Sequence, residues 1–499
     1  MKTDTSDQLT KFFRYLLLSV AVCFIAVYLI LAFLRIRYPF ELEWMEGACV
    51  DHVLRILSGE KLYVTPSLEF IPFIYAPLYF YLSAAVSAII GVGFLPLRLV
   101  SLISSLGCLS LIFFFVKKET GSGLLGILAS SLFAATYRIS GAWYDIGRAD
   151  SLFLLLLLGG LYLIKFRHSS KSYLLAGVLV SLSFLTKQVA LIIFLPTALY
   201  CVLSGRARST YFIGTVVGIV GVSTYLLNWI HGGWYSYYVF HLPRQHVVVE
   251  GMYLDFWTKD ILSALPVACA ISAFFIFAQT VISGKRNYLF YSLMSVGMLG
   301  GAWLTRLRLG SYDNVLIPAY AVLSILFGLG IHRAFDFISG ASAIKRRVLE
   351  AGICLVCITQ FLLLVYNPLA QIPTRKDLEA GRGFIDTMAQ LPGDVLVLSH
   401  GYLPTLAGKR SHAHDAAVND VLNDTGSAAA AKLREEIRRA VQERRFGAII
   451  LDGPWFLEII QRHYDGHRAL FASADVFWPA TGRRTRPEMV YLPKSDAAD

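Results

Sequence analysis

Long apolar stretches alternate with short polar breaks over the first 366 residues, and then the pattern changes. Apolar runs of spanning or near-spanning length begin near residues 12, 96, 122, 151, 172, 189, 211, 261, 288, 315 and 348. A helix needs about 20 such residues to cross a bilayer, so the pattern predicts eleven transmembrane helices. The first run, Phe12 to Leu34, has no small-residue cleavage site set apart from it and is expected to remain as a helix. A further stretch, Tyr75 to Val92, opens with Tyr75, Pro77, Tyr79 and Tyr81 and reads as a helix lying along the membrane surface. Glu46-Gly47, followed by Val50, Val53, Leu54 and Leu57 at helical spacing and stopped by Ser58-Gly59, reads as another juxtamembrane helix. The weakest pair lies between Lys171 and Arg206, where two helices of about 16 residues must fit around a Thr186-Lys187-Gln188 tip. Beyond Asn367 the apolar runs shrink to strand length, at Asp394–Ser399 and Ala448–Leu451. Between them Ala430–Arg445 is amphipathic, with Glu435 and Arg439 spaced to pair. The expected organisation is a polytopic α-helical transmembrane domain over 1–366 and a small α/β soluble domain over 367–499.

Charge then sets an orientation. Residues 1–366 hold 28 Lys and Arg against 17 Asp and Glu, whereas residues 367–499 hold 17 of each. The excess of +11 therefore belongs to the membrane part and is not a nucleic-acid signal. With Tyr75–Val92 not crossing, the clusters at Lys2/Lys11/Arg14, Lys117-Lys118, Lys165/Arg167/Lys171, Arg206/Arg208, Lys285-Arg286 and Lys345-Arg346-Arg347 all fall on one side. By the positive-inside bias that side is the cytoplasm, which puts the N-terminus inside and the C-terminal domain outside a cell membrane. The seven cysteines offer no disulfide framework, and Cys354-Leu-Val-Cys357 lies inside an apolar helix as ordinary buried thiols. Walker, GxGxxG, HExxH and GxSxG patterns are missing, so nucleotide binding, zinc proteolysis and hydrolase chemistry have no support.

The candidate chemistry sits at the mouths of the apolar runs. The first outer loop carries Glu41, Glu43 and Glu46, the second Asp145, Arg148 and Asp150, and the fifth Arg306, Arg308, Tyr312 and Asp313. Ionisable groups at such depth are costly and usually functional. A carboxylate there can take a proton from an acceptor hydroxyl, and paired arginines can hold a phosphate bidentately. The plainer readings are a solvated acidic loop, Asp150 capping the helix it precedes, Arg148 partnered by Asp145, and arginines snorkelling to lipid headgroups. Lys187 faces the same choice. The fourth outer loop, with Trp234, Tyr235, Tyr237, Tyr238, His241, Arg244 and His246, is either an aromatic belt or a cover over a sugar or lipid. His241 and His246 lack the compact spacing of metal ligands, and His412-Ala-His414-Asp415 reads as structure of the soluble domain.

In this order and spacing the chain resembles the GT-C glycosyltransferases that use polyprenyl-phosphate sugars, and within them the bacterial protein-mannosyltransferase-like and lipopolysaccharide-sugar-transferase-like group. The likeness covers residues 10–335 and rests on Met45-Glu46-Gly47, on Asp145 and Asp150 about 100 positions later, on Leu185-Thr-Lys187-Gln188, and on Gly310-Ser-Tyr312-Asp313-Asn314. It implies an inverting transfer of a sugar from a polyprenyl phosphate to a hydroxyl of a lipid, glycan or protein. Glu46 or Glu43 would be the base, with Asp145 and Asp150 beside it. Arg148, Lys187, Arg306, Arg308, Tyr312 and Asp313 would lie on the donor-phosphate side, under a cover that includes His241 and Arg244. Methionine stands where the family often has aspartate, so the choice between Glu43 and Glu46 stays open. No cofactor is expected; a divalent ion bridging Glu46 with Asp145 or Asp150 is the alternative. One rival reading, a transporter of lipid-linked saccharides, predicts charges at mid-span and an inverted repeat, and neither is present in the sequence; against the other, a membrane scaffold displaying its tail, stands the acidic first loop.

Overall fold

The computed structural model describes residues 2–282 and 285–495. The side chains of Lys2, Arg206, Lys285 and Arg286, which entered the orientation reading, lie outside the described residues. Helices form where the apolar runs predict them: α1 (Lys2–Arg35), α4 (Phe94–Thr120), α5 (Gly123–Ala135), α6 (Asp150–Phe166), α7 (Ser170–Phe184), α8 (Ala190–Ser204) and α9 (Arg206–Ile230). Beyond them come the helices Pro266–Ile282, Lys285–Arg306, Ile317–Ile338 and Ala343–Leu363. Among the described residues four helices are long and apolar enough to cross a membrane unaided: Asp7–Arg35, Phe94–Thr120, Ala207–Ile230 and Asp313–Ile338. The last is the central post, with every residue from Ile317 to Ile331 buried. α1 packs along Ala343–Leu363, and Arg14 joins Glu350 across that seam at 2.7 Å.

The remaining apolar helices are shorter. α5 has 13 residues, and the hairpin α7 and α8 has 15 each. The loop between α5 and α6 is buried without interruption from Ser140 to Asp150 although it is not helical. Irregular backbone at membrane depth survives only where protein encloses it, so these short helices make room for a recessed, protein-lined loop. The two juxtamembrane helices are α2 (Glu46–Leu57) and α3 (Leu78–Ile90). At 1.5 Å per residue the 13 residues of α3 reach only about 20 Å, short of a bilayer core of about 30 Å. The fourth loop is a succession of short helical turns between Trp234 and Ser263.

The C-terminal region carries a four-stranded sheet in the order β1-β2-β4-β3, with β1 (Val395–Val397), β2 (Ala448–Leu451), β3 (Tyr464–Ala469) and β4 (Met489–Pro493). β1 and β2 are parallel and fully buried, joined through the helix Ala428–Gln442, as their apolar runs require. In that helix Glu435 pairs with Arg438 and Arg439 with Glu443, in place of the expected Glu435–Arg439 contact.

The sheet domain lies directly on loop one. Gly47 and Gly401 meet backbone to backbone, and a Cβ on Gly47 would land on the Gly401 carbonyl. Beside that contact His400 Nδ1 donates to Glu41 at 2.5 Å and Nε2 to Asp452 at 2.8 Å, all three side chains buried. Burial opposes a charge on His400, but Asp452 and Glu41 outweigh it and raise its pKa to about 10.

Candidate active site

Loop one and loop two are locked together by two arginines that rise from the apolar helices. Arg35, the last residue of α1, grips Asp145 with two hydrogen bonds of 2.7 and 2.6 Å, and Tyr137 Oη donates to the same carboxylate at 3.0 Å. Arg98, near the start of α4, grips Glu46 at 3.0 and 2.7 Å, and the backbone N–H groups of Gly147 and Leu42 donate to it at 2.5 and 2.7 Å. Burial works against the Glu46 charge, yet Arg98 and those two amides outweigh it and hold the pKa below the ordinary carboxylate range. Both Glu46 oxygens are therefore occupied by donors. Asp145 and Glu46 act as braces of the two loops, and neither lines the large cavity beside them.

Glu43 differs. Its Oε2 accepts from Arg148 Nη1 at 2.8 Å and from the Met45 amide at 3.2 Å, while Oε1 is buried with no hydrogen-bond partner among the described residues. Burial raises its pKa to about 7, Arg148 offsetting part of the effect and the Glu46 charge adding to it. An unpaired oxygen on a buried carboxylate is expensive to maintain. It is the oxygen of this loop that remains open to a new donor.

Glu43 does not itself line the cavity beside it, of about 920 Å³ and at the upper end of ligand-site volumes, but it stands behind the wall, joined to it through Arg148 and through its chain neighbours Trp44 and Met45. Arg148 also donates to Tyr75 Oη at 2.9 Å and sits over the Tyr75 and Trp143 rings. Lys187, at the α7–α8 tip, faces the same space, held at 2.5 Å by Asp150. Asp150 is the first residue of α6, and its carboxylate serves Lys187 and, at 3.0 Å, the Asn314 amide instead of capping the helix. The tip is tied down by Gln188, which donates to the carbonyls of Ile74 and Val239. Arg308 and Tyr312 complete the cluster from loop five. Loop four reaches it through a short antiparallel bridge, Val248 to Arg308.

Other residues expected at the site lie elsewhere. Arg306 is neutralised by Asp260 at 2.9 Å and Asp313 at 3.1 Å and stands outside the cavity lining, and Asp313 goes with it. The two arginines alternate in direction because the helix ends at Arg306, and only Arg308 turns inward. His241 bonds Asp424 of the C-terminal domain at 3.0 Å, and Arg244 is exposed; their neighbours Pro243, Gln245 and His246 form the cover instead. The three carboxylates that a bridging ion would share each hold a separate cation, and among the described residues no group of three or more potential metal ligands is assembled. Sequence reasoning passed over Arg35, Arg98 and Arg483. A buried arginine at the end of an apolar run demands a carboxylate partner, and that signal was present at Arg35 and Arg98; Arg483 had no such mark.

The fold is GT-C-like, as two solved structures and a family match over part of the chain show. Residues 75–229 match the family of dolichyl-phosphate-mannose-protein mannosyltransferases. The crystal structure of ArnT from Cupriavidus metallidurans bound to undecaprenyl phosphate superposes with a TM-score of 0.59 at 12% identity, over 96% of this chain and 98% of that one. The archaeal oligosaccharyltransferase AglB from Archaeoglobus fulgidus, in complex with an inhibitory peptide and a dolichol-phosphate, superposes at 0.55 and 10% identity, over 98% of this chain and 75% of that one. No curated protein sequence matches the chain.

Proposed function

We propose that the protein is an inverting glycosyltransferase that moves a sugar from a polyprenyl phosphate to a hydroxyl acceptor at the outer face of a cell membrane, with its N-terminus in the cytoplasm and residues 367–499 outside. The observation that carries this reading is a buried carboxylate with an unpaired oxygen, Glu43, standing directly behind a cavity wall of cations and aromatic rings and joined to it by Arg148. Glu43 is the base. With a pKa of about 7 it is ionised often enough to accept a proton and basic enough to want one. It takes the proton of the acceptor hydroxyl through Oε1. The acceptor oxygen then bonds to the anomeric carbon from the face opposite the phosphate, and the C–O bond to phosphate breaks with its electron pair left on the phosphate oxygen. Lys187 and Arg308 meet the charge that develops there. Arg148 keeps Glu43 in place, and the rings of Trp44, Tyr75 and Trp143 offer faces for a sugar. This route needs no bound cofactor.

The test is turnover of a panel of polyprenyl-phosphate sugars by purified protein in nanodiscs with crude envelope acceptor, read as donor loss and product mass. Glu43→Gln is expected to lower turnover by about 10²–10⁴-fold with little change in donor binding. A wild type that binds donor without turning it over, unchanged by Glu43→Gln, would move the assignment to transport or scaffolding.

A further inference from the structure

We propose that Arg483, delivered by the C-terminal domain, is a phosphate ligand of this site and matches the second negative charge that appears on the lipid phosphate as the sugar leaves. The proposal rests on the transferase reading above and adds a residue that none of the loop motifs contains.

The cations on the cavity wall sort into two kinds. Arg148 and Lys187 are each bound to one carboxylate, Glu43 and Asp150, and form neutral pairs. Among the described residues Arg308 donates to a carbonyl and to no carboxylate, the carbonyl being that of His246 at 2.9 Å. Arg483 has its nearest carboxylate, Asp415, at 3.7 Å, and its guanidinium lies 5.4 Å over the Trp44 ring. Arg308 thus brings a charge that no carboxylate among the described residues meets, and Arg483 one that Asp415 offsets only across a loose pair of 3.7 Å. Their neighbours in sequence do not share this placement. Arg484 and Arg486 stack on Trp478 at 4.7 and 4.6 Å, and Arg486 donates to the carbonyls of Ser473 and Val476.

Arg483 is held where it is by a strap laid across both catalytic loops. The Thr481 amide donates to the Leu42 carbonyl at 3.0 Å, and its hydroxyl donates to the Gly141 carbonyl. Gly482 follows with φ +79°, and a Cβ there would stand 2.8 Å from Glu43 Cγ. The strap is therefore flush against the proposed base, and the next residue opens into the cavity.

The charge balance gives this position a purpose. A polyprenyl-phosphate sugar is a phosphodiester with one negative charge. When its anomeric C–O bond breaks and the electron pair stays on oxygen, the product is a phosphomonoester with about 1.5–2 negative charges at pH 7. One unneutralised arginine suffices for the donor; the product and the transition state leading to it call for two. A guanidinium fork meets two phosphate oxygens at once, which a lysine does not.

Binding measurements on the full chain in nanodiscs, with undecaprenyl phosphate and the uncharged undecaprenol as probes, test this without knowledge of the sugar. Hydrogen bonds to charged groups contribute enough for a loss of about 10–100-fold, and the 53% exposure of the Arg483 side chain places the expectation at the lower end. Arg483→Gln should weaken undecaprenyl phosphate about tenfold and leave undecaprenol and the melting temperature unchanged. Arg483→Lys should recover part of the loss, and Arg484→Gln should match wild type. Unchanged phosphate binding in Arg483→Gln, or an equal loss for both lipids, would overturn the proposal. A wild type that does not distinguish the two lipids would sink the transferase reading itself, and the wild-type arm alone reveals that.

Discussion

Replacing Glu46 by glutamine separates a brace from a catalyst. Four donors converge on this carboxylate: two N–H groups of Arg98 and the amides of Gly147 and Leu42. Glutamine keeps the shape but turns an NH₂ toward donors at one of its two termini, and it leaves Arg98, fully buried, without a counter-charge. Arg98 keeps its carbonyl partners at Tyr38 and Phe40, both at 2.6 Å, which satisfies hydrogen bonding but not charge. Breaking a buried ion pair from one side costs about 3–5 kcal/mol, a large share of the roughly 5–15 kcal/mol that stabilises an ordinary domain. Glu46→Gln should therefore lower the melting temperature in detergent by several degrees and reduce folded yield, with the surviving folded fraction retaining much of its turnover. Glu43→Gln also breaks a buried pair, Arg148 being 4% exposed, and should lower the melting temperature too, but here the folded fraction should lose its turnover. The measurement is thermal unfolding of both variants beside donor turnover normalised to folded protein. A Glu46→Gln protein that melts like wild type yet turns over nothing would refute the argument and make Glu46 the base.

The same geometry fixes the direction of other responses. Turnover should fall as pH drops below about 7, where Glu43 becomes protonated, and a pH-rate profile that stays flat from about 5 to 8 would contradict Glu43 as base. Lys187→Met should weaken lipid-phosphate binding about tenfold or more, whereas Asp150→Asn, which frees the lysine from its carboxylate, should weaken it less; equilibrium binding decides. Folded His400 has its pKa raised from 6.5 to about 10, so its stabilising contribution is complete below pH 6.5 and is lost as pH rises through 10. The melting temperature of wild type should decline over that window, and His400→Gln should melt lower at pH 6.5 and show a flatter profile. Gly482→Ala places a Cβ against Glu43 at a positive φ and should cost both stability and turnover, by about 1–2 kcal/mol or more in unfolding measurements.

The membrane architecture was legible because burial in lipid and protein writes itself as apolar length. α2 begins at Glu46 and ends at Leu57 as its spacing and Ser58-Gly59 stop demand, and the α7–α8 hairpin turns at Thr186-Lys187-Gln188. Parallel β1 and β2 were visible as short apolar runs; β3, Tyr-Asp-Gly-His-Arg-Ala, was not, since a strand this polar lacks both alternation and continuity. At the site, the sequence placed the charged residues in the right loops but could not say which were already paired. Arg306 and Arg308 look alike on paper, and two neighbouring carboxylates, Asp260 and Asp313, decide that only one is free to face a ligand. Glu43 and Glu46 are likewise three positions apart, and Arg98, some 50 residues on, separates their roles. A buried arginine such as Arg98 announces that it needs a carboxylate, but which of two candidates it takes is decided by packing between segments far apart in the chain.

The strap at Thr481-Gly482-Arg483 also makes the cavity wall a joint product of two parts of the chain that fold by different rules. Loop one belongs to the apolar helical part and the strap to the sheet domain, yet the Thr481 amide binds the Leu42 carbonyl and Gly482 packs on Glu43. Arg483 stands in the wall only while that contact holds. A substitution that loosens the sheet domain would withdraw Arg483 without touching a single loop motif, so damage far from the apolar helices would be felt at the cavity.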